Sequence, residues 1–83
     1  MPTGQPQAGN RVTMADSVEI VLNGTPRQIA AGESIAQLLE RLELKGRHVA
    51  VEVNRELVPR SQHPGRRLAA GDRLEIVTLV GGG

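Results

Sequence analysis

Leu74-Glu75-Ile76-Val77-Thr78-Leu79-Val80-Gly81-Gly82-Gly83 closes the chain, and its reading decides the fold. Seven residues of strand-forming character run directly into three glycines, with no loop between. An apolar strand needs neighbours on both sides, so Leu74–Val80 reads as an interior strand of a sheet. The glycines then form a flexible stem that projects from it, about 10 Å long at ~3.3–3.6 Å per extended residue. Without Cβ atoms such a stem can enter a narrow channel and bring its terminal carboxylate against another backbone or a nucleotide. Glycines at a chain end are also common as idle termini, so the run acquires meaning only from the fold that carries it.

Working outward, Val18-Glu19-Ile20-Val21-Leu22 is a second β-branched run, ended by Asn23-Gly24. Both turn residues tolerate positive φ, which is what a two-residue hairpin requires. The partner strand is Thr25–Ala30, where Pro26 suits an edge position that donates no ladder hydrogen bond. Ser34 with Gln37 has the spacing of a capping box, and Ile35, Leu38, Leu39 and Leu42 form one apolar helical stripe. Gly46 reads as the helix stop, with Lys45 facing the negative end of the helix dipole. Val49, Val51 and Val53 alternate as the inward face of another strand, and Asn54-Arg55-Glu56 turns the chain. Pro59 weakens pairing after Leu57-Val58, residues 61–65 read as loop, and a short strand is expected around Arg66–Leu68 before the Ala70-Gly71-Asp72 turn.

The order β-β-α-β-(β)-β offers one helical stripe to bury, and one face of a sheet to bury it on. This predicts a two-layer α+β domain with a mixed four- or five-stranded sheet and the first and last strands central and side by side. Residues 1–14, rich in Pro, Gly and Gln, read as a disordered leader or as vector-derived sequence before a start at Met14. The domain then spans residues 15–83, with residues 81–83 as its tail.

Strand parity adds a surface. With Val18, Ile20, Leu22, Leu74 and Ile76 turned to the helix, Val21, Val77 and Leu79 face away, bordered by Glu19 and Glu75. They read either as a partner-docking patch beside the tail or as scattered surface aliphatics.

Composition excludes several functions. The 83 residues contain no Cys, Phe, Tyr or Trp and carry a formal charge of +1. No disulfide, cysteine-based metal site or side-chain persulfide is available, and no aromatic platform exists for stacking bases. Acidic and basic residues are interspersed, so no nucleic-acid partner is expected. No apolar run approaches the ~20 residues of a membrane span and no signal-peptide core is present, which points to the cytoplasm. Phosphate-loop, HExxH, GxSxG and dinucleotide motifs are absent. His48 and His63 are isolated and read as surface residues, and Asp72 reads as turn chemistry. No catalytic residue, bound cofactor or metal is expected.

Residues Val18 to Gly83 resemble the ThiS family, the sulfur carriers of thiamine biosynthesis, which have the β-grasp fold of ubiquitin. The resemblance rests on Val21-Leu22-Asn23-Gly24, Ala31-Gly32-Glu33-Ser34-Ile35 with Leu38-Leu39, and Val51–Asn54. It continues through Leu57-Val58-Pro59-Arg60-Ser61, Gly71–Val77 and Val80-Gly81-Gly82-Gly83. His63 departs from it, standing where family members often have Trp. The resemblance implies that an E1-like adenylyltransferase uses ATP and Mg to adenylate the Gly83 carboxylate. Sulfur from a donor such as a cysteine desulfurase then displaces AMP, and the Gly83 thiocarboxylate supplies thiazole synthase. Gly81, Gly82 and Gly83 would enter the partner's active site. The small subunit of molybdopterin synthase, carriers feeding cysteine synthesis or tRNA thiolation, and a non-covalent β-grasp interaction module are the competing readings.

Overall fold

Asn23 (φ 49°) and Gly24 (φ 84°) both occupy the left-handed region and close β1 (Ser17–Leu22) tightly onto β2 (Thr25–Ala30). The antiparallel register pairs Leu22 with Thr25 and Ser17 with Ala30. This computed structural model describes residues 16–79. The expected leader (residues 1–14), Val80 and the Gly81–Gly83 tail lie outside the described residues.

After β2 the chain turns at Gly32 (φ 79°) into α1 (Ile35–Arg41). Ser34 Oγ accepts from the Gln37 N–H at 3.1 Å, while Gln37 Oε1 accepts from the Ser34 N–H at 2.9 Å, so the capping box forms as read. Ile35, Leu38 and Leu39 are buried, and Leu42 packs half-buried against them. Each fully buried side chain of this kind contributes about 1.5–3 kcal/mol relative to exposure. The helix stops earlier than expected. Leu42 is the cap, Glu43 takes φ 62°, and the N–H groups of Glu43 and Leu44 donate to Glu40 O and Leu39 O. This double closure satisfies the orphan carbonyls before Gly46 is reached, and it sets a glutamate where glycine is usual, at a conformational cost of roughly 1–2 kcal/mol.

β3 (Val49–Val53) then pairs with β4 (Glu56–Leu57) across a two-residue turn, Asn54 (φ 52°) and Arg55 (φ 72°). The additional strand was expected at Arg66–Leu68, and the structure moves it to Glu56–Leu57. The tight turn returns the chain at once, so Glu56 pairs with Val53 and Leu57 with Glu52. Residues 66–68 spend their backbone groups elsewhere: the Ile35 N–H donates to Arg66 O and the Leu68 N–H to Glu33 O, leaving one isolated bridge between Ser34 and Arg67. Pro59 leads into a 3-10 turn at Arg60–Gln62 inside the segment expected to be plain loop.

β5 (Arg73–Thr78) completes a five-stranded sheet in the order β2-β1-β5-β3-β4. It is parallel to β1 and antiparallel to β3, so the first and last strands are interior neighbours and Pro26 sits on an edge strand. One helix packed on a mixed sheet of this order is the β-grasp arrangement. The core joins Ile20, Ile29, Val51, Val53, Leu74 and Ile76 of the sheet to the helix stripe, with Val58 and Leu68 from the long connection.

The two turn asparagines also hold β5. Asn23 Nδ2 donates to Ile76 O at 3.2 Å, and Asn23 Oδ1 accepts from the Ile76 N–H at 2.8 Å. On the other side, Asn54 Oδ1 accepts from the Arg73 N–H at 3.0 Å, and the Asn54 N–H donates to Arg73 O at 2.7 Å. The Asn23 carboxamide thus continues the β1–β5 ladder where β1 has already turned away. Asn23→Gly keeps the positive-φ turn and removes both bonds to Ile76. Urea unfolding should show a loss of about 1–3 kcal/mol, from ~0.5–1.5 kcal/mol per net hydrogen bond; an unchanged midpoint would show that the carboxamide adds nothing beyond the turn.

Candidate functional site

β5 is both the interior strand and the one that leads to the glycines. Its pairing persists to the end of the described chain, where the Leu79 N–H donates to His48 O at 2.7 Å. Gly81–Gly83 therefore follow a strand held through Ile76 on the β1 side and through Leu79 on the β3 side. The tail residues themselves lie outside the described residues.

Strand parity is as read. Leu74 and Ile76 are buried, while Val77 and Leu79 are each 53% exposed on the face turned away from the helix. Val21 also faces outward, half-buried, opposite Arg73 in the parallel register. That places it four positions before Val77 along β5, about 13 Å away at ~3.3 Å per residue. Val77 and Leu79 therefore share one end of the outer face, and Val21 belongs to another part of it.

Two further residues of the outer face were missed by the sequence reading. Ala50 stands directly opposite Val77 on β3. Leu57, the most exposed large apolar residue among the described residues at 66%, pairs with Glu52, which pairs with Glu75, so all three lie on the outer face. A signal existed: reading Asn54-Arg55 as a two-residue turn would have put Glu56-Leu57 back against β3. The resulting surface carries Val77, Leu79, Ala50 and Leu57 beside Glu52 and Glu75. Like charges placed directly opposite on neighbouring strands oppose folding. An acidic pair next to exposed aliphatics suits a partner that brings cationic and apolar groups.

Asp72 is a turn residue, as expected. Its Oδ2 accepts from the Ala69 N–H at 2.8 Å and its Oδ1 from Asn54 Nδ2 at 3.1 Å. His48 is exposed, but His63 corrects the reading of both histidines as surface residues: it is 5% exposed. The 3-10 turn after Pro59 rolls His63 inward, where Nε2 lies 3.0 Å from Val58 O. A carbonyl can only accept, so the ring proton sits on Nε2. Glu33, just before the helix cap, is also buried. It accepts from Arg41 Nη2 at 3.0 Å, Arg41 Nε at 3.1 Å and the Ala30 N–H at 3.2 Å. Both groups have internal partners, Glu33 joining Arg41 at the end of α1 to the Ala30 backbone and the His63 ring joining the Val58 backbone, a structural task. Among the described residues no group of three or more His, Cys, Asp or Glu is arranged to hold a metal, and no helix is long and apolar enough to cross a membrane.

The ThiS family model matches residues 20–83, from the first strand through the glycines. The chain belongs to the ThiS family. It is 30% identical over 66 residues to the sulfur carrier protein ThiS of Escherichia coli, covering 80% of this chain and 100% of that one. It is 41% identical over 66 residues to a thiazole synthase of Paramagnetospirillum magneticum, again over 80% of this chain but only 20% of the relative. The chain thus spans about a fifth of that synthase's length. The crystal structure of the thiamine biosynthesis protein ThiS from Geobacter metallireducens superposes with a TM-score of 0.69 at 28% identity, covering 80% of this chain and 100% of that one. In this ThiS-family chain the Glu52–Glu75 pair yields a direct test. Glu52→Gln should raise stability by about 0.2–1 kcal/mol at low ionic strength, and the gain should shrink as salt screens the pair. A loss of stability in a denaturant titration would show that the two carboxylates are not in conflict.

Proposed function

We propose that this chain is a sulfur carrier of thiamine biosynthesis and that Gly83 holds the sulfur as a C-terminal thiocarboxylate. It is a co-substrate and not a catalyst. The observation that carries the reading is the continuity of a doubly paired interior strand, β5, with a match to the ThiS family that runs through residue 83.

The chemistry follows from what the chain lacks. With no cysteine, a carbonyl carbon is the available place to bond sulfur. A carboxylate is a poor electrophile, so an E1-like adenylyltransferase activates it using ATP and Mg. One carboxylate oxygen bonds to the α-phosphorus of ATP and pyrophosphate leaves. The terminal sulfur of a persulfide on a donor such as a cysteine desulfurase attacks the acyl carbon and the bond to AMP breaks; a thiol then attacks the donor sulfur of the resulting acyl disulfide, forming a disulfide with the donor and releasing the thiocarboxylate. Thiazole synthase then accepts the sulfur. The segment of similarity within a protein named thiazole synthase supports that partner, because in that relative a carrier-like stretch occupies a fifth of the same polypeptide. The role of Gly81 and Gly82 is clearance: without side chains they pass through a channel too narrow for larger residues. Val77 and Leu79, with Ala50 and Leu57, form the docking surface from which the tail extends, and Glu52 and Glu75 orient a cationic partner surface. Val21 lies at its far margin.

Two variants separate tail from surface. Removal of Gly82 and Gly83 should abolish carrier-dependent exchange of pyrophosphate into ATP by an adenylating enzyme active on a known ThiS carrier, while the thermal midpoint stays unchanged. Exchange that persists would reject Gly83 as the activated residue. Val77→Asp should weaken binding to that enzyme by about tenfold, ~1.4 kcal/mol, while folding stability moves by less than about 0.5 kcal/mol, as for an exposed position. Equal losses in binding and stability would place Val77 in the core and not in the docking surface.

A further inference from the structure

On the helix side of the sheet, away from the face just described, α1 and residues 60–67 enclose an open cleft of about 460 Å³. Its lining includes aliphatic Leu39, Leu44 and Val49, none of them fully exposed, and Pro64. Four cationic side chains line it as well, Lys45, Arg47, Arg60 and Arg67, against the single carboxylate Glu40. All four cations are exposed. Lys45 pairs with Glu40 at 3.0 Å and Arg67 Nη1 donates to Gly32 O at 2.8 Å. Arg47 and Arg60 have no side-chain hydrogen bond or ion pair among the described residues.

The cleft is built into the fold. The Ala36 N–H donates to His63 O at 3.1 Å and the Ile35 N–H to Arg66 O at 3.0 Å, which joins its two walls. The left-handed Glu43 breaks the helix sharply, and the Arg47 N–H donates to Leu44 O at 3.0 Å, which fixes the third side. The buried His63 ring, held by Val58 O, supports the wall from beneath.

We propose that this cleft docks an acidic segment of a partner protein whose aliphatic side chains fill the floor while its carboxylates meet Arg47 and Arg60. Charge complementarity selects this occupant. An aliphatic floor inside a polar rim is the anatomy of a protein-binding patch, and a bare anion would leave that floor unused. A single-stranded nucleic acid would find no aromatic side chain to stack on. The cleft is opposite in sign to the Glu52–Glu75 surface and lies on the other layer of the domain, so one partner can hold it while another engages the sheet face. The proposal does not depend on sulfur chemistry and is tested without it.

The test is a selection from a random peptide library on the immobilised full-length chain, followed by amide chemical-shift mapping and affinity measurement with the synthetic form of the most enriched peptide. Enriched sequences should place Asp or Glu beside Leu, Ile or Val. Shifts should fall on Ala36, residues 44–47 and residues 60–67. Affinity should drop about tenfold in the Arg47→Glu, Arg60→Glu double variant, decline with added salt, and be unaffected by Val77→Asp. The proposal is overturned if no peptide enriches above a blank support or if the bound peptide shifts the Val77 face. It is equally overturned if inorganic phosphate alone reproduces the shifts and displaces the peptide, which would make the cleft a simple anion site.

Discussion

Two asparagines in left-handed turns hold the last strand in place, and the rest of the molecule depends on that grip. Asn23 closes the first hairpin and Asn54 the second, and each then uses its carboxamide on the backbone of β5, at Ile76 and Arg73 respectively. A turn residue with positive φ is normally free to be glycine. Here the side chain supplies what glycine cannot, a donor and an acceptor that replace a missing strand neighbour. The consequence reaches the end of the described chain: pairing continues through Leu79. A tail set on such a strand begins from a fixed point, which lowers the entropic cost of presenting it to a partner.

The two layers have been given different tasks. The helix side binds the core together through the capping box, the pairing of buried Glu33 with exposed Arg41 and the Schellman-type closure at Glu43. The outer sheet face bears groups that oppose folding or gain nothing from it, such as the facing Glu52 and Glu75 and the exposed Leu57, Val77 and Leu79. A surface that tolerates such pairings gains little from folding, and under the proposed function it serves recognition by the enzymes that load and unload the carrier. In the proposed function, catalysis resides in those enzymes.

Much of the architecture was legible because local chemistry and global pattern agree. Asn23-Gly24 admits one kind of turn, Ser34 and Gln37 cap each other, and the 3.6-residue stripe of Ile35, Leu38 and Leu39 has one place to go. The errors arose where tertiary competition decides. Residues 66–68 resemble a strand, yet their backbone is taken by Glu33 and Ile35, while the short Glu56–Leu57 pairing follows from a turn of two non-glycine residues, Asn54 and Arg55. Gly46 looked like the helix stop because glycine is the cheapest left-handed residue, but Glu43 reaches that conformation first. His63 was read at the surface; nothing local announces that Val58 O awaits its ring inside. The candidate site was half legible: parity exposes Val77 and Leu79, but only the register shows that Ala50 stands opposite Val77, that Leu57 shares the face beside Glu52, and that Val21 lies four positions away along β5.

The central claim concerns one atom, the sulfur bonded to the carbonyl carbon of Gly83. The most direct measurement is fragmentation mass spectrometry of the C-terminal peptide after incubation with a ThiS-activating enzyme, ATP and sulfide. The account predicts one oxygen exchanged for sulfur, located on the Gly83 fragment and absent when ATP is withheld. An unmodified C-terminal peptide, beside a known carrier converted in the same mixture, would contradict it.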